Sequence, residues 1–180
     1  MASMAALPPQ VDPVTGVIAG ESIVESTRTF ADVASIFADQ AAEMDPGTPI
    51  YTTYSLPETG LPELLFSTTV IQPGCVGHEF LMTRGHFHTD PNRGEFNYTI
   101  RGHGAMILMD RDRRAWWEPM TPGSIHNLDG RLAHRVANIG DGPLIFLCAW
   151  MSDCGHDYET IAREGFAMRL FRTAGGPELR

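Results

Sequence analysis

The sequence predicts an all-β fold, a single barrel or jelly roll. From Ile50 onward, short runs of β-branched, aromatic and other apolar residues alternate with turn signals. Gly and Pro, 18 and 13 of the 180 residues, are concentrated at these breaks, as is typical of antiparallel strands joined by tight turns. The length and the 43% hydrophobic content suit one domain with a sizeable core. The predicted strand runs are PIYTTYSL, ELLFSTTVIQ, EFLMT, FNYTI, GAMILMD, AWWEPM, RVANI and PLIFLCAW.

The part of the chain before these runs predicts an extension of the barrel. Residues 1–48 are expected to form an N-terminal arm with one short helix that packs on a barrel domain of residues 49–180. The beginning of the arm is rich in Pro, Gly and small residues, which favours an extended segment. STRTFADVASIFADQ spaces its apolar residues at helical intervals after a Ser/Thr cap region, which predicts a short amphipathic helix. A second short helix is predicted over DYETIARE, ending near Gly165.

Charge and cysteine content narrow the possible partners. The net charge of −9 disfavours nucleic acid and anionic membrane surfaces, because both repel an acidic protein at long range. Three cysteines without a CxxC spacing indicate neither a disulfide framework nor a thiolate zinc site. The first residues lack the basic and apolar regions of a signal peptide, and no run of about 18 apolar residues occurs. We therefore expect a soluble cytoplasmic protein that does not bind membranes.

Metal-ligand residue types are concentrated in GHFHTDPNRGEF, residues 85–96. Because successive side chains of a strand alternate faces, His86 and His88 should point the same way. TDPNRG predicts a turn, after which EFNYTI returns and brings Glu95 beside the histidines. His134, in a further short strand, can add a third imidazole. Such ligands suit Fe(II), Ni(II), Zn(II) or Mn(II), and three or four protein ligands leave positions open for a substrate.

The HxH pair alone is also compatible with an exposed polar hairpin face, but the wider spacing of the ligand types favours metal binding. HxH followed by Glu95 and Gly102, and later His134 four positions before an asparagine, resembles the paired motifs of the cupin superfamily, whose fold is a double-stranded β-helix barrel. More narrowly, the chain resembles the cupin-type, or archaeal-type, glucose-6-phosphate isomerases in TRGHFHTDPNRGEF, STTV, AHRVANIGDGPLIF and GHDYETIAREGF. These matches run from about Tyr51 to Phe166.

The resemblance implies an activity, a cofactor and a set of site residues. The activity is the interconversion of glucose 6-phosphate and fructose 6-phosphate in glycolysis and gluconeogenesis, the metal is commonly Fe(II), and the assembly is a homodimer. The metal ligands of the family match His86, His88, Glu95 and His134. The residues that contact the sugar phosphate match Tyr51, Thr69, Thr83, Gly85, His156 and Tyr158. Hydroxyl and backbone N–H donors of this kind can hold a phosphate without a large basic patch.

The chain departs from the family pattern at two places. A tyrosine expected two positions after the glutamate is Asn97, which should point to the same face as Glu95. The proline-rich approach to the last histidine ligand is replaced by NLDGR, residues 127–131, near the expected rim at His134. We therefore expect an altered substrate contact at the first position and a reshaped rim at the second.

These observations lead to the hypothesis of a metal-dependent aldose–ketose isomerase in which Glu95 moves a proton between C1 and C2. The metal would act as Lewis acid and template. Two alternatives keep the same barrel. Another metal-dependent cupin enzyme, a sugar isomerase of different specificity or a dioxygenase, would use the same ligands with other pocket residues. A non-catalytic sugar-binding or regulatory cupin would have no need of the full ligand set together with the GHDY segment.

Overall fold

The computed structural model describes residues 8–39, 42–59 and 63–180, and within these ranges the chain is built mainly of short strands. The first strands are β1 (Gln10–Val11), β2 (Ile18–Ala19), β3 (Val24–Thr29), β4 (Pro49–Ser55) and β5 (Leu64–Ile71). They are followed by β6 (Cys75–Val76), β7 (Glu79–Phe80), β8 (Phe87–His88), β9 (Glu95–Arg101), β10 (Gly104–Met109), β11 (Ala115–Met120) and β12 (Ile125–Leu128). The last strands are β13 (Ala133–Asn138), β14 (Leu144–Met151), β15 (His156–Asp157), β16 (Leu170–Thr173) and β17 (Gly176–Leu179).

The strands pair in an antiparallel jelly-roll arrangement. A six-stranded sheet has the order β12-β9-β14-β5-β4-β3, and a three-stranded sheet has the order β11-β10-β13. Isolated bridges connect Met82 with Ala137 and His86 with His134, so the segment around β8 is attached to β13. Neighbours that are distant in sequence, such as β9, β14 and β5, indicate long crossovers of the kind that jelly rolls contain. The predicted all-β cupin fold is therefore confirmed.

The core lies between the six-stranded and the three-stranded sheets. β10 and β13 are buried along their whole length. Ile107 and Val136 from these strands belong to one apolar cluster with Ile71 and Phe146 of the six-stranded sheet. Burial of apolar surface stabilises a fold by about 25 cal/mol per Å². This cluster therefore stabilises the barrel that holds the buried polar residues.

Strand β9 places polar side chains inside the barrel and aromatic ones outside. Glu95, Asn97 and Thr99 are buried, whereas Phe96 and Tyr98 are 37% and 38% exposed. The period of two along a strand produces this alternation. Because buried polar groups need partners, the inward face of β9 marks a polar interior at this end of the barrel.

The N-terminal helix is shorter than the predicted stretch of residues 26–40. The chain is still in β3 through Thr29, and the helix α1 covers only Phe30–Val33, with a 3₁₀ turn at Ala34–Ile36. β3 pairs with β4 at the edge of the six-stranded sheet, and this pairing overrides the helical spacing of the sequence. The end of the predicted helix, residue 40, lies outside the described residues.

The second predicted helix is confirmed. α2 covers Tyr158–Glu164 and begins directly after β15. Its N-cap is Asp157, whose carboxylate accepts a hydrogen bond from the backbone N–H of Thr160 at 3.0 Å. Within the described ranges, neither α2 nor any other helix has the length and apolarity needed to cross a bilayer.

Part of the predicted arm contacts the barrel directly. Residues 1–7 lie outside the described part of the chain. In the rest, β3 extends the six-stranded sheet, and the backbone N–H of Ile18 donates to Oγ1 of Thr68 at 2.8 Å. The division into an arm of residues 1–48 and a metal-binding domain of residues 49–180 stays a prediction.

Candidate metal centre and substrate cavity

Four histidines converge inside the barrel. His86 and His134 exchange backbone hydrogen bonds of 3.3 and 3.1 Å. β15 pairs with β8 and places His156 opposite His88. The ring centroid of His86 lies 5.5 Å from that of His88, 4.5 Å from that of His134 and 4.4 Å from that of His156. The two histidines of the HxH pair therefore share one face, as strand alternation predicts.

Glu95 completes the cluster from β9. Its Oε2 atom lies 3.5 Å from Nε2 of His88 and 3.5 Å from Nε2 of His134. One possible ligand atom from each of His86, His88, Glu95 and His134 lies within 4.8 Å of the other three. The structure thus brings together the four residues that the sequence predicts as metal ligands. Their role as metal ligands stays a prediction.

The histidine nitrogens inside the cluster fit a cation. In the described part of the chain, the buried Nε2 atoms of His86, His88 and His134 have no hydrogen-bond partner. The Nδ1 atom of His88 faces the Arg93 carbonyl oxygen at 2.5 Å, and that of His134 faces the Leu132 carbonyl oxygen at 3.5 Å. Donation from Nδ1 leaves the Nε2 lone pair free, as in metal-ligating histidines. A buried unpaired polar atom costs about 1–3 kcal/mol, and a divalent ion would offset this cost.

The pKa shifts of His86 and Glu95 suit metal binding, and that of His88 is opposite in direction. Burial, with His134 nearby, holds the pKa of His86 well below its usual value, so that this ring is neutral at pH 7. Burial alone would raise the pKa of Glu95, but the neighbouring histidines, His134 first, hold that pKa well below the usual range. Burial would lower the pKa of His88, yet the Glu95 carboxylate and the Arg93 carbonyl outweigh it and raise that pKa. The Glu95 carboxylate and the His86 imidazole are therefore in the forms that ligate a metal, and His88 would release a proton on metal binding.

A cavity of about 230 Å³ opens beside the cluster. His86, Glu95 and His134 form part of its wall, whereas His88 is fully buried behind them. The wall also contains all six residues predicted to contact a sugar phosphate: Tyr51, Thr69, Thr83, Gly85, His156 and Tyr158. A ligand in this cavity would touch the histidine cluster and these residues together. Their role in substrate binding stays a prediction.

The side chains around the cavity offer hydroxyl and imidazole groups. The hydroxyl of Thr69 lies 3.4 Å from that of Thr53. The hydroxyl of Thr83 accepts a hydrogen bond from the backbone N–H of Val136 at 3.0 Å, so its own hydrogen remains available to a ligand. Burial lowers the pKa of His156 despite the nearby Glu95 carboxylate. The wall can therefore donate several hydrogen bonds to an oxygen-rich ligand.

Sequence reasoning missed part of this wall. The additional lining residues include Thr53, Ser55, Ser67, Arg84, Cys148 and Trp150. Strand alternation was a sufficient signal for three of them, because Thr53 and Ser55 follow Tyr51 in steps of two and Ser67 precedes Thr69 by two. The segment 127–131, expected to reshape the rim, contributes no side chain to the cavity wall among the described residues. Asn97 does line the cavity.

Gly85 is required by both its backbone and its surroundings. Its φ is +80°, and an added Cβ would lie 2.8 Å from Cβ of Arg135 and 2.8 Å from Cε2 of Phe166. The left-handed conformation costs an alanine about 1–2 kcal/mol, and overpacking adds about 1–3 kcal/mol. We expect Gly85→Ala to lower the free energy of unfolding by about 2–5 kcal/mol, measured by denaturant titration.

Two glycines provide matched controls for this prediction. Gly123 has a φ of +89° with no atom within 4 Å of the position that a Cβ would take, and Gly142 also has open space there without a positive φ. Gly123→Ala should show the backbone cost alone, and Gly142→Ala should change stability little. If Gly85→Ala were no more destabilising than Gly123→Ala, the steric part of the explanation would be wrong.

The fold and the histidine–glutamate cluster define a β-barrel protein of the cupin class whose interior could hold a metal ion. The family model described as "Glucose-6-phosphate isomerase (GPI)" matches residues 27–178. The glucose-6-phosphate isomerase of Thermococcus kodakarensis is 40% identical over 169 residues, which cover 92% of this chain and 88% of the relative. That of Pyrococcus furiosus is 39% identical over 173 residues, covering 92% and 89%. The chain belongs to this glucose-6-phosphate isomerase family.

Among solved structures, oxalate decarboxylase from Bacillus subtilis at pH 4.6 aligns with a TM-score of 0.48 and 26% identity. The alignment covers 59% of this chain and 26% of that chain.

Proposed function

We propose that this protein is a metal-dependent isomerase that interconverts glucose 6-phosphate and fructose 6-phosphate. One observation carries the proposal: within a chain of this family, the cavity wall combines the His86, Glu95 and His134 cluster with several hydroxyl groups. A hexose phosphate has a reactive carbonyl end and an anionic end. The cluster is suited to the carbonyl end, and the hydroxyl groups are suited to the anionic end.

In the proton-transfer route that we propose, a proton moves between C1 and C2 through an enediol, whereas a hydride shift would move the hydrogen directly. We assign the proton transfer to Glu95, whose buried carboxylate lies at the cavity wall and is ionised at neutral pH. A divalent ion held by His86, His88, Glu95 and His134 would supply Lewis-acid polarisation of the substrate oxygens. Because a carboxylate near a cation is a weaker base, Glu95 would alternate between ligation and proton transfer.

The phosphate end is assigned to the hydroxyl and backbone groups of the cavity wall. Thr69, Thr83 and Tyr158 can donate side-chain hydrogen bonds, and Gly85 brings backbone close to the cavity. Tyr51 and His156 complete the proposed substrate contacts. Arg84, which also lines the cavity, supplies a positive charge that offsets part of the repulsion expected from the acidic chain.

The proposed metal is Fe(II), with Ni(II), Mn(II) and Zn(II) as further candidates. Three imidazoles and one carboxylate are borderline ligands that accept all four ions. Affinity and catalytic competence are separate properties, so Zn(II) could bind tightly and support turnover poorly. Metal analysis of protein purified without added metal would distinguish among these ions.

Replacing Thr69 should weaken substrate binding more than turnover. Thr69→Val keeps the shape of the side chain and removes its hydroxyl, and one hydrogen bond to a charged group is worth about 1.5–3 kcal/mol. We expect KM for fructose 6-phosphate to rise by about 10-fold or more while kcat changes less. Thr27→Val, on the exposed strand β3, is the matched control. An unchanged KM would remove Thr69 from the phosphate site.

We also propose a homodimer in the cytoplasm. Tyr98 and Ile125 are 38% and 64% exposed, and they face each other across β9 and the edge strand β12. Apolar side chains on a sheet edge favour pairing with another surface, and two-fold dimers are the commonest assemblies. Sedimentation at micromolar concentration should give a dimer, and a monomer would refute this assembly.

A coupled assay tests the proposed function. The protein is supplied with fructose 6-phosphate, and glucose 6-phosphate is detected by its dehydrogenase, with and without added Fe(II). Fructose without phosphate and mannose 6-phosphate serve as comparison substrates. Formation of glucose 6-phosphate is expected. Metal-loaded protein that binds the sugar phosphate without converting it would instead support the sugar-binding alternative.

A further inference from the structure

The glutamate of the cluster is held from behind by a chain of two hydrogen bonds. The Asn97 side-chain amide donates from Nδ2 to Oε1 of Glu95 at 2.9 Å. The Cys148 thiol in turn donates from Sγ to Oδ1 of the same amide at 2.9 Å. Asn97 is 1% exposed and Cys148 is 8% exposed. Both ends of the amide are therefore engaged inside the barrel.

Strand pairing explains why these three side chains meet. Glu95 and Asn97 are two positions apart on β9, so they point to the same face. Asn97 lies directly opposite Cys148 on β14. Side chains that are directly opposite on one face lie about 4.5–5.5 Å apart at Cβ. The sheet thus fixes the order Cys148, Asn97, Glu95 along its inner surface.

The thiol selects the orientation of the amide. A thiol is protonated at neutral pH and acts as a donor, which requires the amide oxygen to face Cys148. The amide nitrogen must then face Glu95 and donate to Oε1. If the amide were rotated by 180°, its oxygen would face the Glu95 carboxylate, and two acceptors would be in contact. The preferred orientation follows from the partners on both sides.

The two carboxylate oxygens of Glu95 therefore have different partners. Oε1 of Glu95 is bound by Asn97, whereas Oε2 lies 3.5 Å from the Nε2 atoms of His88 and His134. Without the amide, rotation about the last side-chain bond would turn the carboxylate plane away from the histidines. Terminal carboxylate torsions are broad, so a partner is needed to fix this angle.

We propose that Asn97 and Cys148 form a positioning pair that aims Oε2 of Glu95 at the metal centre. The inference rests on the proposed metal site and extends it to two residues outside the ligand set. Asn97 then acts through Glu95, because its amide nitrogen donates to Oε1 of Glu95 and its amide oxygen accepts from the Cys148 thiol. This differs from the altered substrate contact that the sequence suggests for this position.

The test uses Mn(II) as the probe and does not depend on activity alone. Asn97→Leu keeps a similar side-chain size and removes both hydrogen bonds. Loss of a partner that orients a metal ligand typically weakens metal binding by about 10- to 100-fold. We expect that increase in the Mn(II) dissociation constant, a changed Mn(II) electron paramagnetic resonance spectrum, and a reduced kcat with little change in KM. Circular dichroism and thermal melting establish that the variant is folded.

Cys148 provides a second, milder pair of variants. Cys148→Ala removes the thiol donor and should weaken Mn(II) binding by roughly 2- to 10-fold, the range for one neutral hydrogen bond. Cys148→Ser restores a donor and should return the affinity towards the wild-type value. Cys75→Ala is the matched control, because Cys75 is partly exposed and does not line the cavity wall.

The outcomes separate this inference from the proposed function. Wild-type Mn(II) affinity and spectrum in folded Asn97→Leu would overturn the positioning role and leave the isomerase proposal intact. An increase in KM alone, with unchanged Mn(II) binding, would also overturn it and return Asn97 to a substrate contact. Wild-type protein that binds no divalent ion would overturn the metal site and this inference together.

Discussion

Glu95→Gln is expected to reduce turnover by about 10²- to 10⁴-fold, the usual contribution of a positioned acid–base group. Glutamine has nearly the same size as glutamate, and His86, His88 and His134 still offer three ligands to the metal. It cannot accept a proton at neutral pH, so the step between C1 and C2 loses its base. The measurements are kcat for fructose 6-phosphate and the metal content of the same sample.

The interpretation depends on the metal being retained. We expect the Glu95→Gln protein to keep most of its metal and to bind sugar phosphate, so that the loss appears in kcat. Glu178→Gln, an exposed position on β17, controls for the loss of one negative charge. Near-normal turnover in metal-loaded Glu95→Gln would refute the role of Glu95 as the base and leave it a ligand only.

Removal of the metal is expected to abolish activity, and a divalent first-row ion should restore it. The three buried Nε2 atoms have no hydrogen-bond partner in the described residues, so the metal-free cluster lacks the group that would satisfy them. Dialysis against a chelator followed by addition of Fe(II), Ni(II) or Mn(II) gives the measurement.

A variant of one histidine gives the same test by mutation. His88→Ala deletes a fully buried imidazole of the cluster and should lose metal and activity together. His103→Ala is the matched control, because His103 is exposed and lies outside both the cluster and the cavity wall. Full activity in protein shown by elemental analysis to be metal-free would contradict the metal-dependent account.

The core of the candidate site could be predicted because strand periodicity is local. HxH followed by a turn and a returning strand places His86, His88 and Glu95 together with no long-range information. The structure agrees on their proximity. His134 needed a second motif, and the predicted cavity residues of the C-terminal part, such as His156, needed the resemblance to a family.

The contact between Asn97 and Cys148 depends on the order of the strands in the sheet, which the local sequence pattern does not reveal. Alternation correctly places Asn97 on the face of Glu95, but its partner Cys148 is 51 positions away in the sequence. β9 lies between β12 and β14, and neither of these strands is its neighbour in the sequence. The predicted substrate contact at Asn97 was therefore inferred without knowledge of the thiol that engages its amide.

For the N-terminal helix, the sequence predicted the buried side chains better than the length of the helix. The helical spacing of Phe30, Val33, Ile36 and Phe37 identifies three buried residues, and Ile36 is only partly buried. The helix itself begins only at Phe30, because the residues before it are used by the pairing of β3 with β4. The spacing of apolar residues indicates which side chains face the core. Strand pairing in the folded protein decides whether the backbone there is helix or strand.

The most direct test of the account is isomerisation of fructose 6-phosphate in deuterated water, followed by magnetic resonance of the product. Proton transfer by Glu95 through an enediol predicts glucose 6-phosphate that carries solvent deuterium at C2, and metal-loaded Glu95→Gln should form no such labelled product. Glucose 6-phosphate whose C2 hydrogen comes entirely from C1 of the substrate would contradict proton exchange at Glu95. Absence of any glucose 6-phosphate from the metal-loaded wild-type protein would contradict the proposed function itself.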